Sequence, residues 1–310
     1  MKILFMGTPD FAVPSLNILQ NSQHQIVGVV TATDKPVGRG LKLRPSAVKE
    51  NALKYDLPVL QPRHFEDSDF IRALQNLNAD LFVVVAFRIL PPSVFTLPKM
   101  GTMNLHASLL PKYRGAAPIN WVIINGETET GLTTFFIQEK VDTGDMLLQK
   151  SIPIGDDETA GDLHDRLADL GAQLVLETVN RIESGTVKPL KQFGKVSKAP
   201  KLTKELCEIN WAKESQDIRN LIRGLSPHPG AFTTLRGKIF KIFRSGLSAV
   251  SHTHGKPGEI LDIDSKKSTF TVAARTGSLE ILEIQLEGKR RMTTGEFLRG
   301  YDLTAGERLG

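Results

Sequence analysis

The 310-residue sequence contains one cysteine, Cys207. An internal disulfide framework and a cysteine-built metal site are therefore ruled out, and a reducing, cytoplasmic setting is expected. Long apolar runs are also missing. The run from Leu81 to Phe87 falls far short of the roughly 20 residues a bilayer-spanning helix needs. The opening Met1-Lys2-Ile3-Leu4-Phe5-Met6 has no basic n-region and no cleavage site, so it reads as a first strand and no signal or transit peptide is expected. No internal repeat, low-complexity tract or metal-ligand spacing is found. What is present is ordinary for a water-soluble globular chain: 40% hydrophobic and 24% charged residues, with length for two domains.

Charge is unevenly spread. Of 39 basic and 34 acidic residues, 21 of each lie in 1–200, so 18 and 13 remain for 201–310. The whole net charge of +5 thus sits in the last third. A basic accessory domain beside a neutral one points to a polyanionic partner, although ordinary surface lysine accounts for the excess equally well.

The first part of the chain alternates strands and helices. Strands are predicted at Ile3–Met6, Ile26–Val30, Asp80–Ala86, Met103–His106 and Thr133–Ile137. Helical spacing runs from Pro9 to Leu19 and from Gly161 to Ile182, with Gly185 as a stop. Such alternation predicts a Rossmann-like α/β domain: a mostly parallel sheet covered by helices on both faces, with ligands bound beyond the carboxyl ends of its strands. A connector rich in lysine and proline follows at 186–206. Beyond it, short runs at Phe240–Phe243, Gly258–Ile263, Thr269–Ala273 and Leu279–Ile284, separated by turns, predict a small OB-like β-barrel. The expected division is a domain at 1–188, a linker at 189–205 and a second domain at 206–310.

One stretch concentrates polar groups after a strand: Asn104-Leu105-His106-Ala107-Ser108-Leu109-Leu110-Pro111-Lys112-Tyr113-Arg114-Gly115. Asn104 and His106, two residues apart, share a face of their strand, and Pro111 and Gly115 shape the loop beyond. A strand histidine is commonly a packed, hydrogen-bonded residue, but two polar side chains on one face need partners, and the carboxyl edge of a parallel sheet makes the pair a candidate site. Gln138 to Asp145 forms another loop after a strand. Asp142-Thr143-Gly144 is good turn chemistry and on its own asks for no further role. An aspartic-protease reading fails, because that chemistry needs two such carboxylates and a different fold.

Taken together, Asn104, His106, Ser108-Leu109-Leu110-Pro111 and Asp142 resemble the signature of the folate-dependent formyltransferases. In that family an Asn and a His lie at a strand end, a Ser-Leu-Leu-Pro turn follows, and an Asp lies in a loop just over thirty residues on. The resemblance implies that Asn104, His106 and Asp142 are the catalytic set. The chemistry suits them. An acceptor amine attacks the formyl carbon and leaves negative charge on oxygen; Asn104 donates a neutral hydrogen bond to it and protonated His106 a charge-assisted one. Asp142 orients His106 or relays the amine proton through water. The formyl donor implied is 10-formyltetrahydrofolate, with no metal. By the same likeness, Phe87-Arg88-Ile89-Leu90 and the Ser108–Pro111 turn line the folate pocket. The Phe87–Leu90 segment is more like that of the purine-pathway enzymes than the Tyr-Gly-Leu type seen in the tRNA branch.

Two features select the acceptor. The segment Asp34–Pro45 interleaves Lys35, Arg39, Lys42 and Arg44 with glycine and proline, which reads as an exposed, mobile basic loop suited to phosphates or an exposed base pair. It resembles the insertion that marks the family's methionyl-tRNA branch, which implies that these four residues contact tRNA, Arg39 foremost. Ala199-Pro200-Lys201-Leu202-Thr203 and the run Ile222 to Ala231 resemble the two-domain members, and the resemblance spans nearly the whole chain. The implied reaction is formylation of the α-amino group of methionyl-initiator tRNA for translation initiation, by a monomeric enzyme without membrane attachment. Formylation of a nucleotide-sugar amine is the alternative, and the Gly38-Arg39-Gly40 loop argues against it. Hydrolysis of the formyl folate is a further alternative, which formate release without tRNA would support; tRNA binding without catalysis fits the intact trio less well.

Overall fold

The computed structural model describes residues 1–37, 42–248, 255–264, 266 and 268–310. The chain divides into two compact units: Met1–Gly115 with Thr130–Ile152 and His164–Ala199, and Ala116–Glu129 with Pro153–Leu163 and Pro200–Gly310.

The first unit runs β1 (Lys2–Gly7), α1 (Val13–Gln20), β2 (Gln25–Val30), β3 (Lys35–Val37), β4 (Lys42–Arg44), α2 (Ala47–Leu53) and β5 (Val59–Leu60). It continues with α3 (Ser68–Leu77), β6 (Leu81–Val85), α4 (Pro92–Phe95), β7 (Thr102–His106) and β8 (Arg114–Gly115). After α5 (Pro118–Ile124), which belongs to the second unit, come β9 (Glu129–Phe136), β10 (Met146–Pro153), α6 (Ala160–Glu183) and β11 (Lys198–Ala199). The main sheet has the order β10-β9-β7-β6-β1-β2-β5. Strands β5, β2, β1, β6 and β7 are mutually parallel, and β9 lies antiparallel to β7.

Its central strands are apolar on both faces because both are covered. Leu4, Met6, Phe82 and Val84 pack against Phe70 and Leu74 of α3 and Val94 of α4. Pairing of Val84 with Asn104 places Leu105 on the opposite face. There α6 approaches so closely that a Cβ on Gly171 would stand 2.7 Å from Leu105 Cδ2. Each fully buried Leu, Val or Phe contributes about 1.5–3 kcal/mol. The strand order reverses between β1 and β6, which gives this sheet its ligand-binding edge.

Two expectations change. The basic segment at 34–45 is not simply a loop: β3 and β4 pair antiparallel, Lys35 with Arg44 and Val37 with Lys42. Its base is pinned, since Asp34 accepts from Lys49 Nζ at 2.7 Å and from Gln61 Nε2 at 2.8 Å. Those hydrogen bonds, led by Lys49, hold the Asp34 carboxyl below its ordinary range. The connector at 186–206 also contains a strand, because β11 pairs parallel with β8, Lys198 with Arg114 and Ala199 with Gly115.

The second unit contains α5, α7 (Ser215–Leu225), β12 (Ala231–Leu235), β13 (Lys238–Leu247), β14 (Ile260–Asp264), β15 (Thr269–Ala273), β16 (Ser278–Leu286), β17 (Met292–Thr293) and α8 (Thr294–Leu298). Antiparallel pairing in the order β12-β13-β16-β15-β14, with β17 on β16, makes the β domain expected from the short runs. Ile218, Ile222 and Leu225 recur at helical spacing and pack α7 on a core containing Phe240, Phe270 and Phe297. Arg236 and Gly237, both at positive φ, form the two-residue turn between β12 and β13. Thr293 and Glu296 form a capping box on α8.

Arg236 binds Glu307 in a bidentate pair at 2.7 and 2.6 Å. With help from Thr304, this pulls the Glu307 carboxyl from 4.5 down to about 2. A carboxylate depressed on folding contributes stability that is complete above its unfolded value and lost as pH falls through its folded one. Between about pH 4.5 and 2 the second unit is therefore expected to lose stability more steeply than its Glu307→Gln variant does, as acid-titration circular dichroism would show.

Candidate active site

The site is built on the carboxyl end of β7, flanked by β6 and β9. Asn104 lies opposite Phe135 and His106 opposite Thr133, so the two polar side chains share a face while Leu105 points to α6. His106 is buried. Its Nε2 lies 2.8 Å from the carbonyl of Tyr113, which can only accept, so Nε2 carries the proton of the neutral ring and Nδ1 has the lone pair. Tyr113 itself takes a left-handed φ of 59° to turn that carbonyl inward.

Nδ1 of His106 faces Asp142 Oδ2 at 3.8 Å, too long for a direct hydrogen bond and an ion pair only when the ring is protonated. Asp142 Oδ2 also accepts from the backbone N–H of Gly115 at 2.8 Å. Only glycine serves at 115: φ is 125°, and a Cβ would stand 2.6 Å from the carbonyl oxygen of Ala199. Asp142 occupies the left-handed region at φ 54°, a conformation Asp tolerates better than most residues. The chain thus brings Asn104, His106 and Asp142 to one strand end.

The Ser108–Pro111 turn is held by its own polar groups. Ser108 Oγ donates to Lys112 O at 2.7 Å, and Thr133 Oγ1 donates to Ser108 O and accepts from Leu110 N. Ser108, Leu110 and Pro111 are buried and Leu109 half-buried, and Leu110 O accepts from Gln149 Nε2 at 3.1 Å, so this turn is a packed wall. The other predicted folate residues diverge. Leu90 enters the core beside Val94, while Ile89 is 74% exposed. Arg88 is anchored away, donating to the carbonyls of Pro62 and Arg63 and lying over the Phe65 ring at 4.2 Å; burial lowers its guanidinium pKa. Phe87 meets the same Phe65 ring edge-on at 5.9 Å. Ala86, at φ 47°, turns the chain sharply as it leaves β6.

Of the predicted tRNA contacts, Lys35 and Arg44 are exposed and opposed across the β3–β4 ribbon, and Lys42 begins β4. Arg39 lies outside the described residues. Sequence reasoning missed Tyr113 and Thr133, whose contributions are a carbonyl orientation and a cross-strand contact that no local pattern announces. Among the described residues no group of three or more His, Cys, Asp or Glu could hold a metal ion, and no helix is long and apolar enough to cross a membrane.

A strand-end Asn and His, joined by a carboxylate from a separate loop at the carboxyl end of β7, form a candidate site for group-transfer chemistry. Comparison with known proteins agrees: the model of the formyl transferase family matches residues 1–179, and that of its C-terminal domain matches residues 201–302. The chain belongs to the formyl transferase family. Within it, the chain is 48% identical to the methionyl-tRNA formyltransferase of Flavobacterium johnsoniae over 97% of this chain and 96% of that protein. It is 46% identical to the methionyl-tRNA formyltransferase of Bacteroides fragilis over 98% and 96%. Among solved structures, HypX from Aquifex aeolicus in complex with tetrahydrofolic acid superposes with a TM-score of 0.68 at 19% identity. That match covers 99% of this chain but 50% of HypX, and it speaks to the fold alone.

Proposed function

We propose that this chain transfers the formyl group of 10-formyltetrahydrofolate to the α-amino group of methionyl-initiator tRNA. The observation that carries the reading is the contact of His106, which shares a strand face with Asn104, with the sequence-distant Asp142 at the carboxyl end of β7. Near-full-length identity to relatives that bear the name methionyl-tRNA formyltransferase supports the acceptor. In the reaction a bond forms between the amine nitrogen and the formyl carbon, and the bond from that carbon to the folate nitrogen breaks. The amine loses a proton and the folate nitrogen gains one. Asn104 donates to the oxygen on which charge develops. His106, with Nε2 committed to Tyr113, works through Nδ1, and Asp142 offsets positive charge on the ring. At 3.8 Å the carboxylate is near enough to the ring to stabilise that charge without a direct hydrogen bond.

The folate lies against Ala86–Leu90 and the Ser108–Pro111 wall, where the exposed Ile89 and the backbone of the turn meet the pterin. Along the sequence the catalytic domain is assigned to 1–188, the linker to 189–205 and the tRNA-binding domain to 206–310, although Ala116–Glu129 and Pro153–Leu163 belong to the second compact unit and the linker up to Ala199 to the first. The enzyme works as a monomer in the cytoplasm, consistent with its single buried cysteine. Lys35, Arg39, Lys42 and Arg44 contact the acceptor stem.

An acid-urea gel of methionyl-initiator tRNA incubated with the protein and 10-formyltetrahydrofolate tests the reaction. A shifted, formylated species is expected, absent with Asp142→Ala; formate release without a shift would reassign the acceptor. Arg39→Ala is expected to raise the KM for tRNA by at least about tenfold with folate binding unchanged. An equal loss of both would make the ribbon a structural element.

A further inference from the structure

The connector carries one side chain that reaches the site. Gln192 Nε2 donates to the carbonyl of Asp142 at 2.9 Å and to the carbonyl of Gly144 at 2.9 Å. Its Oε1 accepts from Arg114 Nε at 3.2 Å and Nη2 at 2.6 Å. Both amide hydrogens and both lone pairs are thereby used, and the orientation of the amide is fixed, since carbonyls need the NH2 and a guanidinium needs the oxygen. Arg114 precedes Gly115, whose N–H binds the Asp142 carboxylate. A closed ring of contacts therefore runs from the Asp142 backbone through Gln192 and Arg114 to Gly115 and back to the Asp142 side chain.

Asp142 needs that support. Its backbone sits in the left-handed region at φ 54°, and its turn follows the end of β9. We infer that Gln192 is a positioning residue: by gripping the backbone on either side of Thr143, it fixes the Asp142 carboxylate at its distance from His106. This rests on the catalytic role proposed for Asp142. Other contacts hold the connector in place without Gln192. Tyr113 N donates to Ser197 Oγ at 2.8 Å, Arg114 N donates to Ser197 O at 3.0 Å, and β11 pairs with β8. Loss of the Gln192 amide should therefore leave the connector docked while freeing the Asp142 turn.

Gln192→Ala is expected to lower kcat about 10- to 100-fold, the scale on which a displaced catalytic group acts, with the KM values for folate and tRNA and the melting temperature nearly unchanged. Gln192→Glu separates the two halves of the amide. It keeps an oxygen for Arg114 but offers no N–H to the two carbonyls, and it should be impaired at least as much as the alanine variant. Asp142→Ala, made in the wild type and in Gln192→Ala, should cost much less kcat in the second background, because the two residues act as one unit. Full kcat in either Gln192 variant, or additive losses, overturns the inference while an inactive Asp142→Ala leaves the proposed function standing. Full activity of Asp142→Ala removes the catalytic assignment itself, and this inference with it.

Discussion

Asn104→Ala is expected to lower kcat for formyl transfer about 100- to 1000-fold, the usual loss when one donor to a developing oxyanion is removed. The strand supports a clean result. Residue 104 is paired on both sides, with Val84 of β6 and Phe135 of β9, so the backbone stays fixed when the side chain is cut back. Asn104 is only half-buried, so truncation opens little cavity, and the stability change should stay below about 1 kcal/mol. Because the bond strengthens as charge develops on oxygen, the loss should fall on kcat and leave both KM values largely untouched. Asn104→Asp sharpens the test. It keeps the shape, loses the N–H and adds a negative charge beside the reacting oxygen, so it should be at least as slow as the alanine variant in single-turnover assays. A normal kcat with a raised KM for folate would make Asn104 a binding residue instead.

Much of this site was legible because its signals are local. The alternation that puts Asn104 and His106 on one face is a property of any strand, and the apolar runs of β1 and β6 mark a sheet covered on both sides. Thr269–Ala273 was read with the bounds that β15 has. Other elements carried weaker signals. β5 has two residues, Val59 and Leu60, too few for a period. The 34–45 segment reads as a loop because its strands have three residues each and include Pro36; their pairing joins Lys35 to Arg44 and Val37 to Lys42, while Asp34, Lys49 and Gln61 hold its base. The connector hid most. Gln192 and Ser197 act through hydrogen bonds to Tyr113, Arg114, Asp142 and Gly144, a relation that has no period along the sequence.

Gly144→Ala is expected to be the most disruptive single change at the site. A Cβ there would stand 1.6 Å from the carbonyl oxygen of Phe136 and 2.9 Å from its carbon, where real Cβ contacts essentially never fall below 3.0 Å. The obstacle is backbone at the end of β9, so no side-chain rotation relieves it. The turn must lift away, which breaks the bond from Phe136 N to Asp145 O at 3.0 Å and loosens the carbonyls gripped by Gln192. Overpacking of this severity costs about 3 kcal/mol or more, and the melting temperature of the first unit should fall by roughly 5–10 °C. Formyl transfer should fall with it, because the same movement carries Asp142 away from His106. Gly300→Ala supplies the control: nothing lies within 4 Å of a Cβ at that position, and both stability and activity should be preserved. The comparison with Asp142→Ala then assigns cause. That variant should lose activity with its fold intact, whereas Gly144→Ala should lose both together. An unchanged melting temperature in Gly144→Ala would mean that the turn does not pack against β9 as closely as the contact with Phe136 requires.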